Sequence, residues 1–175
     1  MGDERYPIGQ LRIDGTPTPE TRKRCIDDMA RTPADLRKAL DGLPPRLTDI
    51  PYRDGGWTVR QMTHHLADSL VNAYARFRFA LTEREPTIKP FDQDAWAVLA
   101  DVASVDPAVS VSAIEALTIR LTALLSSLAE TDFRRAFIHP ERGRMSLDDY
   151  LQLCAWHGRH HVAHIEAFRR RRGAS

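Results

Sequence analysis

Leu147, Tyr150, Cys154, His157, His161, Ile165 and Phe168 follow one another at steps of three or four residues. That is the period of a helix, and it sets all seven on one stripe. Ser146-Leu-Asp-Asp149 opens the segment, which should continue as a helix to about Arg171. A long helix with one such stripe has to bury it against other helices, so a bundle is the natural fold. The stripe also makes a chemical demand. Two imidazoles buried without partners would leave polar nitrogens unsatisfied, so something must satisfy His157 and His161.

The rest of the chain supplies further helices. Thr18, with Pro19 just inside it, starts a helical region to about Leu40, closed by Gly42 and Pro44-Pro45. Pro33, preceded by Thr32, offers a point where that region could break and restart. Thr58-Val-Arg-Gln61 reads as a capping box, and Val59, Met62, Leu66, Leu70, Ala73, Phe77 and Leu81 follow it at helical spacing. Pro86 and Pro90 end this second helix, and a short turn around residues 92–99 places Trp96 as a plug in the core. A third helix is expected between about Ser110 and Ala129, with Ser112 and Glu115 as its capping box. No segment alternates in the manner of a strand. The expected fold is all-α: a four-helix bundle with short extra helical turns in the loops, forming one domain over residues 1–175.

Composition narrows the function classes. Lys+Arg and Asp+Glu nearly cancel to a net charge of +1, so no global field points to nucleic acid. Arg169 to Arg172 suit the negative end of a helix dipole. No apolar run approaches the roughly 20 residues that span a bilayer, and MGDERYPIGQ lacks the apolar region of a secretory signal. Cys25 and Cys154 make neither a disulfide framework nor a CxxC motif, so a reducing cytoplasm is the expected compartment and Cys154 a small core residue.

Two imidazoles four residues apart on one helical face can converge on one ion, as in HExxH helices. His157 and His161 form such a pair, and His160 and His164 form a rival pair on the neighbouring row. A zinc site that leaves a position for water needs a third protein ligand, and His64-His65 on the second helix offers one; periodicity favours His65 slightly. Beside them Gln61, His65, Asp68, Asn72 and Arg76 form a polar row, either a solvated face or the lining of a cleft. Asp68, three residues after His65, is the candidate general base. Glu166 lies nearer the outer face, and His139, before Pro140, belongs to an ordered loop outside the ligand set.

WTVRQMTHHLADS, NAYARFRFALTE and WHGRHHVAHI, together with YPIGQ, KPFDQDAWAVLAD and FIHPERG, stand in an order that resembles the YfiT branch of the DinB-like superfamily over nearly the whole chain. The resemblance implies a four-helix bundle with one divalent metal ion, zinc or nickel, on three histidines. The first is followed by Leu or Ile and a small residue, which selects His65 before Leu66-Ala67; the other two, four apart, are His157 and His161. His164 stands where the broader superfamily often has Gln, implying that it orients a ligand or faces substrate. Members of the branch are described as metal-dependent hydrolases and commonly as homodimers.

Three neutral imidazoles leave most of the ion's charge in place, which favours hydroxide formation at neutral pH and so hydrolysis of a small-molecule substrate. The same open position could hold a thiolate, giving a thiol S-transferase, as in other branches of the superfamily. Arg60, Arg76 or Arg78 could then meet the carboxylates of such a thiol. A metal-binding protein without catalysis is the third reading.

Overall fold

The computed structural model describes residues 3–173, so the outermost two residues at each end of the domain expected over 1–175 lie outside the described residues. Four long helices form a bundle: α1 (Pro19–Leu40), α3 (Val59–Thr82), α6 (Pro107–Ser126) and α7 (Leu147–Arg172). Short helices α2 (Pro45–Thr48), α4 (Gln93–Trp96) and α5 (Ala100–Ser104) occupy the connections. α1 packs between α7 and α6, and α3 closes the ring by packing on α6 and α7.

The starts of these helices are local chemistry. Thr18 accepts a hydrogen bond from the Thr21 backbone N–H, with Pro19 at the first helical position. Thr58 with Gln61, and Ser146 with Asp149, form complete capping boxes. α1 runs unbroken through Pro33, because Thr32, Pro33 and Leu36 are buried by the bundle and that packing outweighs the missing backbone donor. α6 starts earlier than expected. Asp106 caps it by accepting from Ala108 N–H, Pro107 follows, and the Ser112 hydroxyl only donates to the Ala108 carbonyl within the helix. Glu115 pairs with Arg37 of α1 at 2.8 Å instead of closing a capping box.

Two further expectations are corrected. α6 is long and apolar enough to cross a membrane by length and composition, because its serines and threonines are small and carry no charge. It nevertheless turns Val111, Ile114, Thr118, Leu121 and Leu125 inward, towards α1 and α3. Trp96 is no core plug. It is 38% exposed and leans on Phe91, with ring centroids 4.8 Å apart.

A hairpin also stands where no strand was expected. β1 (Ala136–His139) pairs antiparallel with β2 (Gly143–Ser146), Phe137 opposite Met145, both turned into the core. Its reversal uses Gly143 at φ 74°, in the left-handed region that glycine tolerates.

The bundle interior divides into two apolar clusters. Ala73, Phe77, Leu121, Leu147, Tyr150 and Leu151 belong to one; Leu36, Met62, Leu66, Val162, Ile165 and Phe168 belong to the other. Each fully buried Leu or Phe contributes about 1.5–3 kcal/mol by removal from water. On α7 His157 and His161 sit between the stretches that feed these clusters, and on α3 His65 sits within the stretch that feeds the second, so the site lies where the second cluster borders the first.

Residues 3–16 run back across α7 as a strap. The Asp14 N–H donates to Gln152 Oε1 at 2.8 Å, and Gln152 Nε2 donates to the Asp14 carbonyl at 2.9 Å. Trp156 Nε1 donates to the Gly9 carbonyl at 3.2 Å.

Candidate metal centre

α3 presents His65 and α7 presents His157 and His161 to the same point. His157 Nε2 lies 3.2 Å from His65 Nε2 and 3.1 Å from His161 Nε2, and the three nitrogens fall within 4.8 Å of one another. A tetrahedral ion with Zn–N bonds of about 2.0–2.1 Å needs ligand nitrogens about 3.3 Å apart, and these spacings are close to that. Protons cannot satisfy three mutually facing ring nitrogens as well as one cation can. The donor set therefore fits a divalent ion.

Burial tunes the rings for that role. It holds His65 down to about 4 and His157 to about 3, and it pushes His161 well below the usual histidine range, with the neighbouring histidines adding to the effect on the α7 pair. All three are therefore neutral near pH 7, the form that ligates. His65 is held edge-on to Trp57, with centroids 4.6 Å apart, which limits rotation of its ring. Ser69, one turn further along α3, places its Oγ 3.3 Å from His65 Nε2. His161 Nδ1 is buried without a protein partner.

Gly158, next to His157, lets α7 approach α1 closely. A Cβ there would lie 2.7 Å from Thr32 Oγ1 and 3.0 Å from Thr32 Cγ2. Thr32 is itself fixed by donating its hydroxyl to the Asp28 carbonyl. The ligand pair on α7 is thus positioned by a tight contact on the adjoining flank of the helix.

His65, Ser69 and His157 open onto a cavity of about 970 Å³ that runs along α3 and α7 to the hairpin. Phe91, Arg76, His139, Arg142 and Tyr150 also line it. Of the polar row on α3, only His65 and Arg76 reach this cavity. Gln61 is consumed by its cap and by donating to the Ala97 carbonyl, and Asn72 donates to the Asp68 carbonyl.

Asp68, the candidate base, is half-buried away from that lining, where burial and then the charge of Asp101 raise its pKa. His164 is placed against the strap, its Nε2 donating to the Arg5 carbonyl at 3.2 Å and its ring 4.3 Å from Tyr52. His160 stacks on Trp156 at 4.2 Å. His64 turns the other way and bonds Ser110 Oγ through Nδ1 at 2.7 Å. Sequence reasoning passed over Ser69, whose signal was its i+4 spacing from His65, and Gly158, whose signal was a lone glycine amid helical periodicity.

Comparison with known proteins gives a consistent picture. The DinB superfamily profile matches residues 28–165. YfiT of Bacillus subtilis strain 168, a probable metal-dependent hydrolase, is 42% identical over 171 residues, covering 97% of this chain and 96% of that protein. A Bacillus mycoides strain KBAB4 protein with the same qualified hydrolase name is 44% identical, covering 98% of each chain. The solved YfiT structure, described as having an unusual four-helix bundle topology, superimposes with a TM-score of 0.95 over 98% of this chain and 99% of its own. TT2238, a four-helix bundle protein, matches with a TM-score of 0.56 at 18% identity over 81% of this chain and 95% of its own, and shares the fold.

Proposed function

Because the chain belongs to the DinB superfamily, we propose that it is a metal-dependent hydrolase acting on a small-molecule substrate held in the cavity beside His65 and His157. The observation that carries this reading is the convergence of three neutral imidazole Nε2 atoms, with His65 and His157 lining a large cavity. A divalent ion there, zinc or nickel by its all-imidazole donor set, would supply Lewis acidity and bring the pKa of water down to about 7.

The chain's own residues set the conditions for that chemistry. The ligand trio contains no carboxylate, so it leaves the ion's charge unneutralised. Trp57 packed on His65 excludes water from one side of the site. Ser69 Oγ is placed to orient a polar group beside His65. Burial pushes the Cys154 thiol up to about 12, so it stays protonated at neutral pH and does not compete as a nucleophile.

Cytoplasmic location and a homodimeric assembly are part of the same reading. Two free cysteines support the first, and the exposed Val109 and Ile119 on α6 support the second, which sedimentation tests by mass. The hydrolase reading is tested by metal analysis of purified protein, followed by turnover of small esters and amides. Metal-dependent turnover without any added thiol supports it. Turnover that needs an added thiol replaces it with the transferase reading, and metal bound without turnover of either kind leaves a binding protein.

A further inference from the structure

The cavity is chemically asymmetric. One end carries His65 and His157, two of the three converging histidines; elsewhere the wall carries Arg76 from α3 and Arg142 from the hairpin loop. Among the described residues neither guanidinium has a carboxylate within ion-pair distance. Arg76 has only neutral acceptors. Its Nη1 donates to Tyr150 Oη at 3.3 Å and its Nη2 to the Lys89 carbonyl at 3.2 Å, while its Nε is buried with no partner.

The acids in the same wall do not neutralise these charges. Asp92 is engaged in capping α4, accepting from Asp94 N–H and Ala95 N–H, and Glu141 pairs with neither arginine. Both guanidinium charges bear on His139 between them, and that of Arg142 is also felt at His157. A half-buried guanidinium without a counter-charge forgoes the strong, charge-assisted hydrogen bonds that an oxyanion would make to it.

We propose that Arg76 and Arg142 form the anion-recognising end of this cavity, so that the substrate is an elongated molecule bearing a carboxylate or phosphate group remote from the atom that reacts at the histidine end. Tyr150, to which Arg76 is bonded, lies seven residues before His157 on α7, which sets the two ends about 10 Å apart along the helix. This assignment rests on the hydrolase reading only in taking the histidine end as the reacting end.

The test is calorimetric titration of zinc-loaded protein with 6-mercaptohexanoate and with its primary amide, probes of matching length whose thiol seats at the metal. The acid is expected to bind about tenfold tighter than the amide, the worth of one charge-assisted pair. That preference should shrink to within about twofold in Arg76→Gln and in Arg142→Gln. Arg142 is exposed, so its variant keeps the test valid if Arg76→Gln perturbs folding. A phosphate-ended analogue binding more tightly than the carboxylate identifies the oxyanion as phosphate; weaker binding identifies it as carboxylate.

Equal affinity for acid and amide in the native protein overturns the proposal, as does a preference that survives both substitutions. If the protein takes up no metal, the hydrolase reading fails separately. The anion end is then decided by amide NMR shifts in metal-free protein: changes at Arg76 and Arg142 with hexanoate but not hexanamide uphold it, and equal or absent changes overturn it.

Discussion

α7 carries two histidine pairs of identical spacing whose fates differ. His157 and His161 face α3, where His65 brings a third ring nitrogen to meet them. His160 and His164, about 60° away round the same helix, have other neighbours: His160 stacks on Trp156 of α7 itself, and His164 meets the ring of Tyr52 and the Arg5 carbonyl of the strap. Both rows are neutral and largely buried. What separates them is the neighbour: the first row meets a facing helix that contributes a like donor and so fits a cation, while the second meets a backbone carbonyl and aromatic faces from three parts of the chain.

The largest expected effect breaks the first row alone. His157→Ala should reduce bound metal from about one equivalent to a small fraction, since two imidazoles rarely hold zinc, while His160→Ala should retain it. Elemental analysis of the two proteins side by side decides this, and the opposite pattern would move the site to the other row.

Next comes pH. Burial lowers His65 to about 4, His157 to about 3 and His160 to about 4, against about 6.5 in an unfolded chain. The unfolded chain therefore takes up protons that the folded one refuses. Stability from these groups is complete above about pH 6.5 and drains away as pH falls towards about 4. His160→Gln should shrink that loss in metal-free protein. The rise in melting temperature produced by added metal should instead persist down to about pH 4, because the ligands are already deprotonated in the fold. Melting curves at half-unit pH intervals would show both.

A smaller effect tests the packing behind the inward row. Gly158→Ala forces a Cβ against Thr32 and should cost about 1–3 kcal/mol of stability, with loosened metal binding as a consequence. Denaturant titration, with metal affinity measured in parallel, checks it. The smallest effect belongs to the outward row. His164→Ala removes one hydrogen bond to the strap and should cost about 1 kcal/mol, appearing as faster proteolysis within residues 3–16 at unchanged metal content.

The parts of this molecule that could be read from the chain are those decided within a few residues. Thr58 with Gln61 and Ser146 with Asp149 are i,i+3 chemistry, and the α7 stripe is pure periodicity. The Asp106-Pro107 start was equally local but was masked by a plausible Ser112–Glu115 pair that begins five residues after Pro107. The hairpin was illegible because each strand is four residues long and its stability comes from Phe137 and Met145 meeting the core. The site shows the same division. Spacing indicated which histidines could pair, but Asp68 and Ser69 differ by one residue, and only the placement of α5 and α7 decides that Ser69 meets the cavity and Asp68 does not.

The contact between His65 and His157 joins residues 92 positions apart in the chain. An ion held between them is therefore also a cross-link, closing residues 65–157, with all of α6, into one loop. For a covalent bridge, a loop of that length restricts the unfolded ensemble by about 4–5 kcal/mol. On this view chelation does more than disarm a reaction centre: it opens the loop and restores to the unfolded chain the freedom that the ion had withheld.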